Sequence, residues 1–256
     1  MNITIQVILT VCPLIFLAGF LDSIAGGGGL ISLPAYLFAG LPMHNAIATN
    51  KFSSTFGTAI SAYRFIKSGN ISLRSAFASV IGALAGSYTG ARLALSLEEK
   101  YLQYFLIIVL PVIAVFILTR KNFGKDDTAK ELPESKIVVL SVISGFIIGA
   151  YDGFFGPGTG TFLILVYTGI IGFNLKTASG NAKIVNLASN VTALITFIFS
   201  NKVIFLVGLP AALCGILGNW LGSGLAIKKG SKVIKPFIII VMILLFGKIV
   251  YDLIVS

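Results

Sequence analysis

The feature that most constrains the fold is a series of apolar runs that extends along the whole chain. Runs close to the roughly 20 residues needed to cross a bilayer recur, and no long polar region is left for a separate soluble domain. Hydrophobic residues make up 56% of the 256 residues, charged residues only 11%, and the mean hydropathy is +0.98. Because this leaves too little polar surface to coat a soluble globule, we expect an all-α polytopic membrane protein.

The apolar runs form two series separated by a polar segment. Residues 119–136 carry both signs of charge together with Gly and Pro, which predicts a connecting loop. We therefore expect one transmembrane repeat over residues 1–118 and another over residues 137–256, with about eight transmembrane helices in all. The predicted runs are Ile3–Phe20, Leu30–Leu41, Ala46–Ile66, Ala76–Leu95 and Tyr101–Leu118, followed by Ile137–Ala150, Thr161–Phe173, Thr177–Phe199, Val203–Ile227 and Val233–Val255.

The two series share residues at corresponding positions. A shift of 131 places Gly27 on Gly158, Gly29 on Gly160, Tyr36 on Tyr167, Asn50 on Asn181 and Asn70 on Asn201. Four of these five identities are Gly or Asn, whose backbone or hydrogen-bonding properties are costly to place in lipid. Their coincidence favours an internal duplication.

Each series begins with a long run and a short run, separated by a segment that cannot stay helical. The separating segments read SIAGGGG in the first series and GFFGPGTG in the second. Gly costs about 1 kcal/mol and Pro about 3 kcal/mol in a helix interior, so several together unwind the chain. Non-helical backbone is tolerated inside a bilayer only where protein or a water-filled cavity surrounds it. We therefore expect broken or re-entrant helices at both segments.

Two helix breaks in corresponding positions are typical of a transporter substrate site. The short helix after each break begins near Gly29 or Gly160, and its free N–H groups would suit an anion. In a purely structural reading, the glycines only allow close helix packing. The candidate substrate-binding residues are Gly27, Gly28, Gly29, Asn50, Lys51, Gly158, Thr159, Gly160, Thr161, Asn181 and Lys183.

Two lysines accompany the candidate asparagines near the start of the next long runs. Lys51 follows Asn50 by one residue, whereas Lys183 follows Asn181 by two. Because the repeat does not align them, we expect the lysines to point in different directions on their helices. Each lysine either contributes to the site or snorkels toward an interface.

Asp22 and Asp152 each lie a few residues before a break. An ionisable group inside a membrane is a functional hypothesis by default. Either aspartate couples a proton to transport, or it hydrogen-bonds the unwound N–H groups as a cap. A carboxylate pair formed by the two would instead suit an intramembrane aspartyl enzyme.

The sequence gives no support for a cofactor, a metal site or nucleic-acid binding. It contains no phosphate loop and no HExxH, CxxC or GxSxG string. The formal net charge of +10 comes mostly from Lys and Arg between the apolar runs, where they anchor helix ends. The basic loops after Ile66 and Ile227 and the basic connecting loop cannot share one side if eight passes alternate strictly, which leaves the orientation open.

The chain resembles the sulfite exporter TauE/SafE-type family of membrane transporters. The segments GFLDSIAGGGGLISLPAYLFAGLPMHNAIATNKFSS and GAYDGFFGPGTGTFLILVYTGIIGFNLKTASGNAKI carry the resemblance, which spans nearly the whole chain. It implies a multi-pass protein of the plasma (cell inner) membrane that moves small sulfur-containing or organic anions, such as sulfite or sulfonates, without hydrolysing ATP. Pro157 and Thr159 interrupt the glycine run of the second break, so the two breaks are not strictly equivalent.

The function expected from these features is secondary transport, and export in particular, of a small anion by a protein that lies in the lipid bilayer. A proton or another ion is a candidate coupling partner. An anion channel is the near alternative, and the aspartyl enzyme is the more distant one. We expect no enzymatic activity.

Overall fold

A computed structural model describes residues 5–98, 101, 132–241 and 243. Within these residues the chain is helical and contains no strand, which confirms the all-α prediction. Nearly all of the predicted run Tyr101–Leu118, most of the predicted connecting loop and the second part of Val233–Val255 lie outside the described residues. The division into two repeats with a connecting loop stays a prediction.

The helices follow the same order of lengths before and after residues 102–131: long, short, long, long. They are α1 (Ile5–Ala25), α2 (Gly29–Phe38), α3 (Met43–Lys67), α4 (Leu73–Ser96), α5 (Glu134–Phe154), α6 (Thr159–Val166), a π-helical turn (Tyr167–Ile171), α7 (Leu175–Phe199), α8 (Phe205–Lys229) and α9, which begins at residue 231 and is described to residue 241. The helices end and restart at both glycine-rich segments, so the two predicted breaks are confirmed.

Four of the described helices are long and apolar enough to cross a membrane: α1, α5, α7 and α8. The helices α3 and α4 are of similar length, with 25 and 24 residues. They carry more polar side chains, and α3 buries Thr49, Ser53 and Ser61 inside the protein. A total of about eight passes therefore stays a prediction.

The helices α4 and α5 pack closely and run parallel. Gly82 of α4 lies against the carbonyl oxygen of Val142 in α5, and Gly90, two turns later, lies against that of Ala150. A Cβ atom at Gly82 or Gly90 would lie 2.2 or 2.0 Å from these oxygens. Small residues thus let the two backbones approach, as is common between helices in membranes.

The helices α1 and α8 form a second parallel pair built in the same way. Gly218 of α8 lies against the carbonyl oxygen of Phe16 in α1, and Gly222, one turn later, lies against that of Phe20. A Cβ atom at Gly218 would lie 2.1 Å from the Phe16 oxygen. Each of the two parallel pairs therefore joins a helix from before residues 102–131 to one from after them.

Further contacts fix the directions of the remaining long helices. The helices α3 and α8 are parallel, because Thr49 contacts Ile204 near their starts and Ser61 contacts Asn219 further along both. The helices α4 and α7 are also parallel, because Ser72 contacts Asn181 and Ser87 contacts Ser189. His44, at the start of α3, has its Nε2 atom 3.0 Å from the carbonyl oxygen of Ala94, near the end of α4, so these two helices are antiparallel. As a result, α1, α3 and α8 point one way, and α4, α5 and α7 point the other way.

The two helix breaks meet at Gly26 and Gly160. Gly26 has a φ of +84°, and a Cβ atom there would lie 2.1 Å from the carbonyl carbon of Gly160. The Thr161 hydroxyl donates a hydrogen bond of 2.7 Å to the carbonyl oxygen of Ala25, which holds the start of α6 against the end of α1. Only glycine combines the left-handed backbone with so close an approach, so the first break needs it for packing.

Candidate functional site

The last turn of α5 carries Asp152, which forms a buried ion pair with Lys51 of α3. The Lys51 Nζ atom lies 2.8 Å from Asp152 Oδ1, and the side chains are only 2% and 3% exposed. Lys51 also donates a hydrogen bond of 3.0 Å to Asn190 Oδ1, and the Ser189 hydroxyl donates one of 2.6 Å to Asp152 Oδ2. A buried ion pair repays its desolvation only when such additional hydrogen bonds satisfy both partners.

The last turn of α1 carries Asp22, which forms the corresponding pair with Lys183 of α7. The Lys183 Nζ atom lies 2.9 Å from Asp22 Oδ2 and also donates to the Asp22 carbonyl oxygen. The lysine side chain is fully buried, whereas that of Asp22 is 16% exposed. The Gly28 N–H group approaches Asp22 Oδ1 at 3.4 Å, so this carboxylate also contacts the unwound backbone as a capping group would.

The two lysines occupy equivalent positions, which corrects the expectation that they point in different directions. Each is the ninth residue of a 25-residue helix, and each binds the aspartate that precedes the break in the other series. The lysines are equivalent despite their different spacing from the asparagines, because the π-helical turn before α7 accommodates an extra residue. This residue displaces α7 by one position from the gapless alignment of the asparagines. The snorkelling interpretation is also wrong, since both lysines are buried.

Each aspartate pairs with a lysine, and this arrangement differs from the one that the aspartyl-enzyme alternative needs. A catalytic dyad of that type requires two carboxylates that share a proton. Here Asp22 and Asp152 bind Lys183 and Lys51, respectively. No group of three or more His, Cys, Asp or Glu side chains suited to a metal ion occurs in the described part of the chain.

A cavity of about 40 Å³ lies between the helix breaks and the helices α1, α2, α3, α7 and α8. Gly28 and Gly29, at the start of α2, form part of its wall. Most of the other lining residues offer a hydroxyl, an amide or a charge: Asp22, Ser32, Asn50, Lys51, Ser53, Ser54, Thr58, Asp152, Thr159, Asn186, Asn190 and Asn219. The cavity therefore presents hydrogen-bond donors, a helix N-terminus, one lysine and two carboxylates to a small polar solute.

Several of the predicted site residues form the wall of this cavity. They are Gly28, Gly29, Asn50, Lys51 and Thr159, together with both aspartates. Asn50 is 5% exposed, and its Oδ1 atom accepts a hydrogen bond of 3.3 Å from the Ser54 hydroxyl. The residues around the first break and the start of α3 thus line one cavity, and their contact with a substrate stays a prediction.

The other predicted residues lie behind the cavity wall. Gly27 faces the side chain of Val241, and Gly160 and Thr161 pack on the first break. Gly158 adopts a φ of +84° as the residue before α6. Asn181 Oδ1 accepts a hydrogen bond of 2.8 Å from the Ser72 N–H group. Lys183 reaches Asp22, and only Asp22 of that pair faces the cavity.

Several polar residues of the site were not predicted from the sequence, and three of them lie inside the apolar run of α7. Asn186, Ser189 and Asn190 are spaced by three and four residues, so they share one face of the helix. The Asn190 Nδ2 atom donates to Asn186 Oδ1 at 3.2 Å, while Ser189 and Asn190 hold the Lys51–Asp152 pair. Their spacing is the signal that could have identified them, since polar side chains in a membrane helix tend to face the protein interior.

The chain matches one protein family and several known relatives over most of its length. Residues 11–249 match the family described as Sulfite exporter TauE/SafE. The chain is 36% identical over 236 residues to "Probable membrane transporter protein YfcA" of Escherichia coli (strain K12), which covers 92% of this chain and 87% of that protein. It is 36% identical over 237 residues to "Probable membrane transporter protein ORF9" of Sinorhizobium sp, covering 93% and 90% of the two chains.

A third relative extends over almost the full length of both chains. This "Probable membrane transporter protein" of Haemophilus influenzae (strain ATCC 51907 / DSM 11121 / KW20 / Rd) is 32% identical over 252 residues, covering 98% of each chain. No solved structure matches the chain. The match over residues 11–249 and the nearly complete coverage by these relatives show that the chain belongs to the sulfite exporter TauE/SafE family of membrane transporters.

Proposed function

We propose that the protein is a secondary transporter that exports a small anion, such as sulfite, a sulfonate or a related organic anion. The observation that carries the proposal is the polar cavity at the two helix breaks, in which Lys51 and the start of α2 face the same space. A lysine and the N-terminus of a helix both favour a negative charge. The family assignment supports transport, while the nature of the cavity wall supports an anion.

The remaining wall suits the oxygen atoms of a sulfite or sulfonate group. Serine and threonine hydroxyls and asparagine amides supply donors that can replace the hydration shell of an anion. The proposal assigns substrate contact to Gly28, Gly29, Asn50, Lys51 and Thr159. Gly27, Gly158, Gly160, Thr161, Asn181 and Lys183 then support the breaks or serve another state of the cycle.

The mechanism that we propose is alternating access by two inverted repeats. Helix by helix, α1 is opposite in direction to α5, α3 to α7 and α4 to α8. This is expected if residues 1–118 and 137–256 are repeats joined by the segment 119–136. Inverted repeats around discontinuous helices are a common plan of secondary transporters, which rock one part against the other around a fixed site. The protein would act as a multi-pass component of the plasma membrane with about eight passes.

Flux measurements in proteoliposomes test this proposal. The purified protein is reconstituted into vesicles loaded with sulfite or a small alkyl sulfonate, and efflux is followed with and without the same anion outside. A transporter gives flux that saturates and that the anion on the opposite side accelerates. Flux that rises linearly with concentration and shows no such exchange would favour the anion channel. No flux of any of these anions would contradict the proposal.

A further inference from the structure

We infer that Asp152 carries a proton together with the transported anion, so that the two move in the same direction. In this mechanism the anion replaces the Asp152 carboxylate as the partner of Lys51, and protonation of Asp152 removes its negative charge. The inference rests on the proposed function and adds the coupling ion and the residue that binds it.

The geometry makes Asp152 and an incoming anion competitors for one ammonium group. Lys51 and Asp152 both line the cavity, and the 2.8 Å contact between them is buried. The second partner of Lys51 is the neutral amide oxygen of Asn190 at 3.0 Å. An anion that reaches Lys51 must therefore share it with the carboxylate or displace the carboxylate.

The charge balance requires one proton when this displacement occurs. Before the anion binds, the Lys51 ammonium balances the Asp152 carboxylate, and Lys183 balances the Asp22 carboxylate that also lines the cavity. A second negative charge beside Asp152 would be repelled in a poorly solvated space, and like charges in one site favour protonation of a carboxylate. One proton from the aqueous phase binds an Asp152 Oδ atom as the anion binds Lys51, and it leaves to the aqueous phase when the anion leaves. For a monoanion the full cycle then moves no net charge.

The groups around Asp152 allow this exchange. Lys51 faces the carboxylate from α3, and the Ser189 hydroxyl donates to it from α7. Asp22 also interacts electrostatically with Lys51, but it keeps its own partner, Lys183. Because Lys183 does not line the cavity, an anion bound there competes for Lys51 and leaves the Asp22–Lys183 pair intact.

The test measures proton and anion movement in the same proteoliposomes, with a pH-sensitive dye inside and the membrane potential clamped by potassium and valinomycin. The wild-type protein should move about one proton with each monoanion, and its flux should not respond to the potential. In Asp152→Asn, anion flux should persist without proton movement and should become dependent on the potential. Glu134→Gln makes the same chemical change in an exposed ion pair and should behave as the wild type.

The outcomes separate this inference from the proposed function. Anion flux without proton movement in the wild type would overturn the inference and leave the transporter proposal standing, whereas no anion flux would contradict the transporter. Normal proton coupling in Asp152→Asn would also overturn it. If that variant does not fold, Ser189→Ala replaces it: loss of the hydroxyl donor should ease protonation and move the pH profile of transport to higher pH. An unchanged profile would speak against Asp152 as the proton carrier.

A different observation carries a second inference, which concerns orientation. We infer that the ends of α3 and α8 face the cytoplasm. The Arg64 guanidinium lies 4.3 Å from the Trp220 ring centroid, so the basic ends of α3 and α8 lie together. The side chain of Lys176, at the start of α7, packs on Gly230, and Arg74 of α4 contacts Glu134 of α5.

Basic residues of the described chain are concentrated at this end of the helices. They include Arg64, Lys67, Arg74, Lys176, Lys228 and Lys229. At the opposite end, where Asn45 donates to the Lys202 carbonyl oxygen, the described basic residues are Arg92 and Lys202. The structure thus places the loop after Ile66 and the loop after Ile227 on one side. An excess of Lys and Arg marks the cytoplasmic side of membrane proteins.

Two cysteine variants at the two ends of α4 test this orientation. Ser68→Cys lies in the exposed turn before α4 and Ser96→Cys at its exposed end, both in a chain with Cys12 and Cys214 changed to Ala. A membrane-impermeant maleimide added to intact cells should label Ser96→Cys, and it should label Ser68→Cys only after the membrane is permeabilised. The opposite pattern, or equal labelling of both in intact cells, would overturn the inference.

Discussion

Lys183 of α7 is fully buried and lies 2.9 Å from the Asp22 carboxylate of α1. The pair joins a helix of the first series to a helix of the second directly below the first break. Its counterpart, the pair of Lys51 and Asp152, joins α3 of the first series to α5 of the second series beside the second break. Two crossed ion pairs thus connect the parts of the molecule that alternating access would move against each other.

Breaking one of these pairs should destabilise the protein strongly. Lys183→Gln would leave the Asp22 carboxylate without its cation, and loss of one partner of a buried pair costs about 3–5 kcal/mol. The double variant Asp22→Asn with Lys183→Gln should regain part of this loss because no buried charge is left unpaired. Thermal denaturation in detergent would measure the stability of the single and the double variant.

An exposed ion pair provides the control for this experiment. Arg74 and Glu134 are 59% and 77% exposed, so Arg74→Gln should change stability by no more than about 1 kcal/mol. Equal losses for Lys183→Gln and Arg74→Gln would show that the buried pair contributes nothing beyond a surface contact.

Removal of the cavity lysine should weaken substrate binding in protein that still folds correctly. Lys51→Gln deletes a charged donor worth about 1.5–3 kcal/mol, which corresponds to a loss of affinity of roughly ten- to a hundredfold. Lys51→Arg keeps the charge and should retain part of the affinity, while Lys202→Gln, at the end of α7, should leave it unchanged. Isothermal titration of correctly folded protein with sulfite would measure these affinities. Unaltered affinity in Lys51→Gln would remove this residue from the site.

The positions of the helix breaks could be predicted from the sequence because their cause is local. Several Gly and Pro residues in a short segment prevent helical hydrogen bonding wherever the segment lies. The breaks appear at residues 26–28 and 155–158, close to the expected positions. Gly28, Asn50 and Lys51 line one cavity in the structure, and their role as a substrate site stays a prediction.

The crossed ion pairs could not be predicted, because they depend on tertiary structure and on the one extra residue that the π-helical turn accommodates. The π-helical turn shifts α7 by one position, and one position rotates a helical side chain by about 100°. The gapless alignment therefore concealed the equivalence of Lys51 and Lys183. The directions of the helices also decide which aspartate each lysine meets, and these directions come from the packing of Gly82 and Gly218 on helices remote in sequence.

A pair of glycines with the same backbone conformation separates conformational strain from crowding at the break. Gly26 and Gly40 have φ values of +84° and +83°. A Cβ atom at Gly40 would meet nothing within 4 Å, whereas one at Gly26 would lie 2.1 Å from the backbone of Gly160. Gly40→Ala should therefore cost only the strain of a left-handed residue, about 1–2 kcal/mol.

Gly26→Ala should be much more harmful than Gly40→Ala, because a close backbone contact cannot be relieved by turning a side chain. We expect loss of the folded protein or of transport in Gly26→Ala, with transport close to wild type in Gly40→Ala. Size-exclusion chromatography in detergent and flux in proteoliposomes would measure the two effects for both variants. If the two alanine variants behave alike, the contact between the breaks does not limit folding or transport, and positive φ alone explains the glycine. A larger loss at Gly26 would instead show that the close backbone contact between the two breaks limits folding or transport.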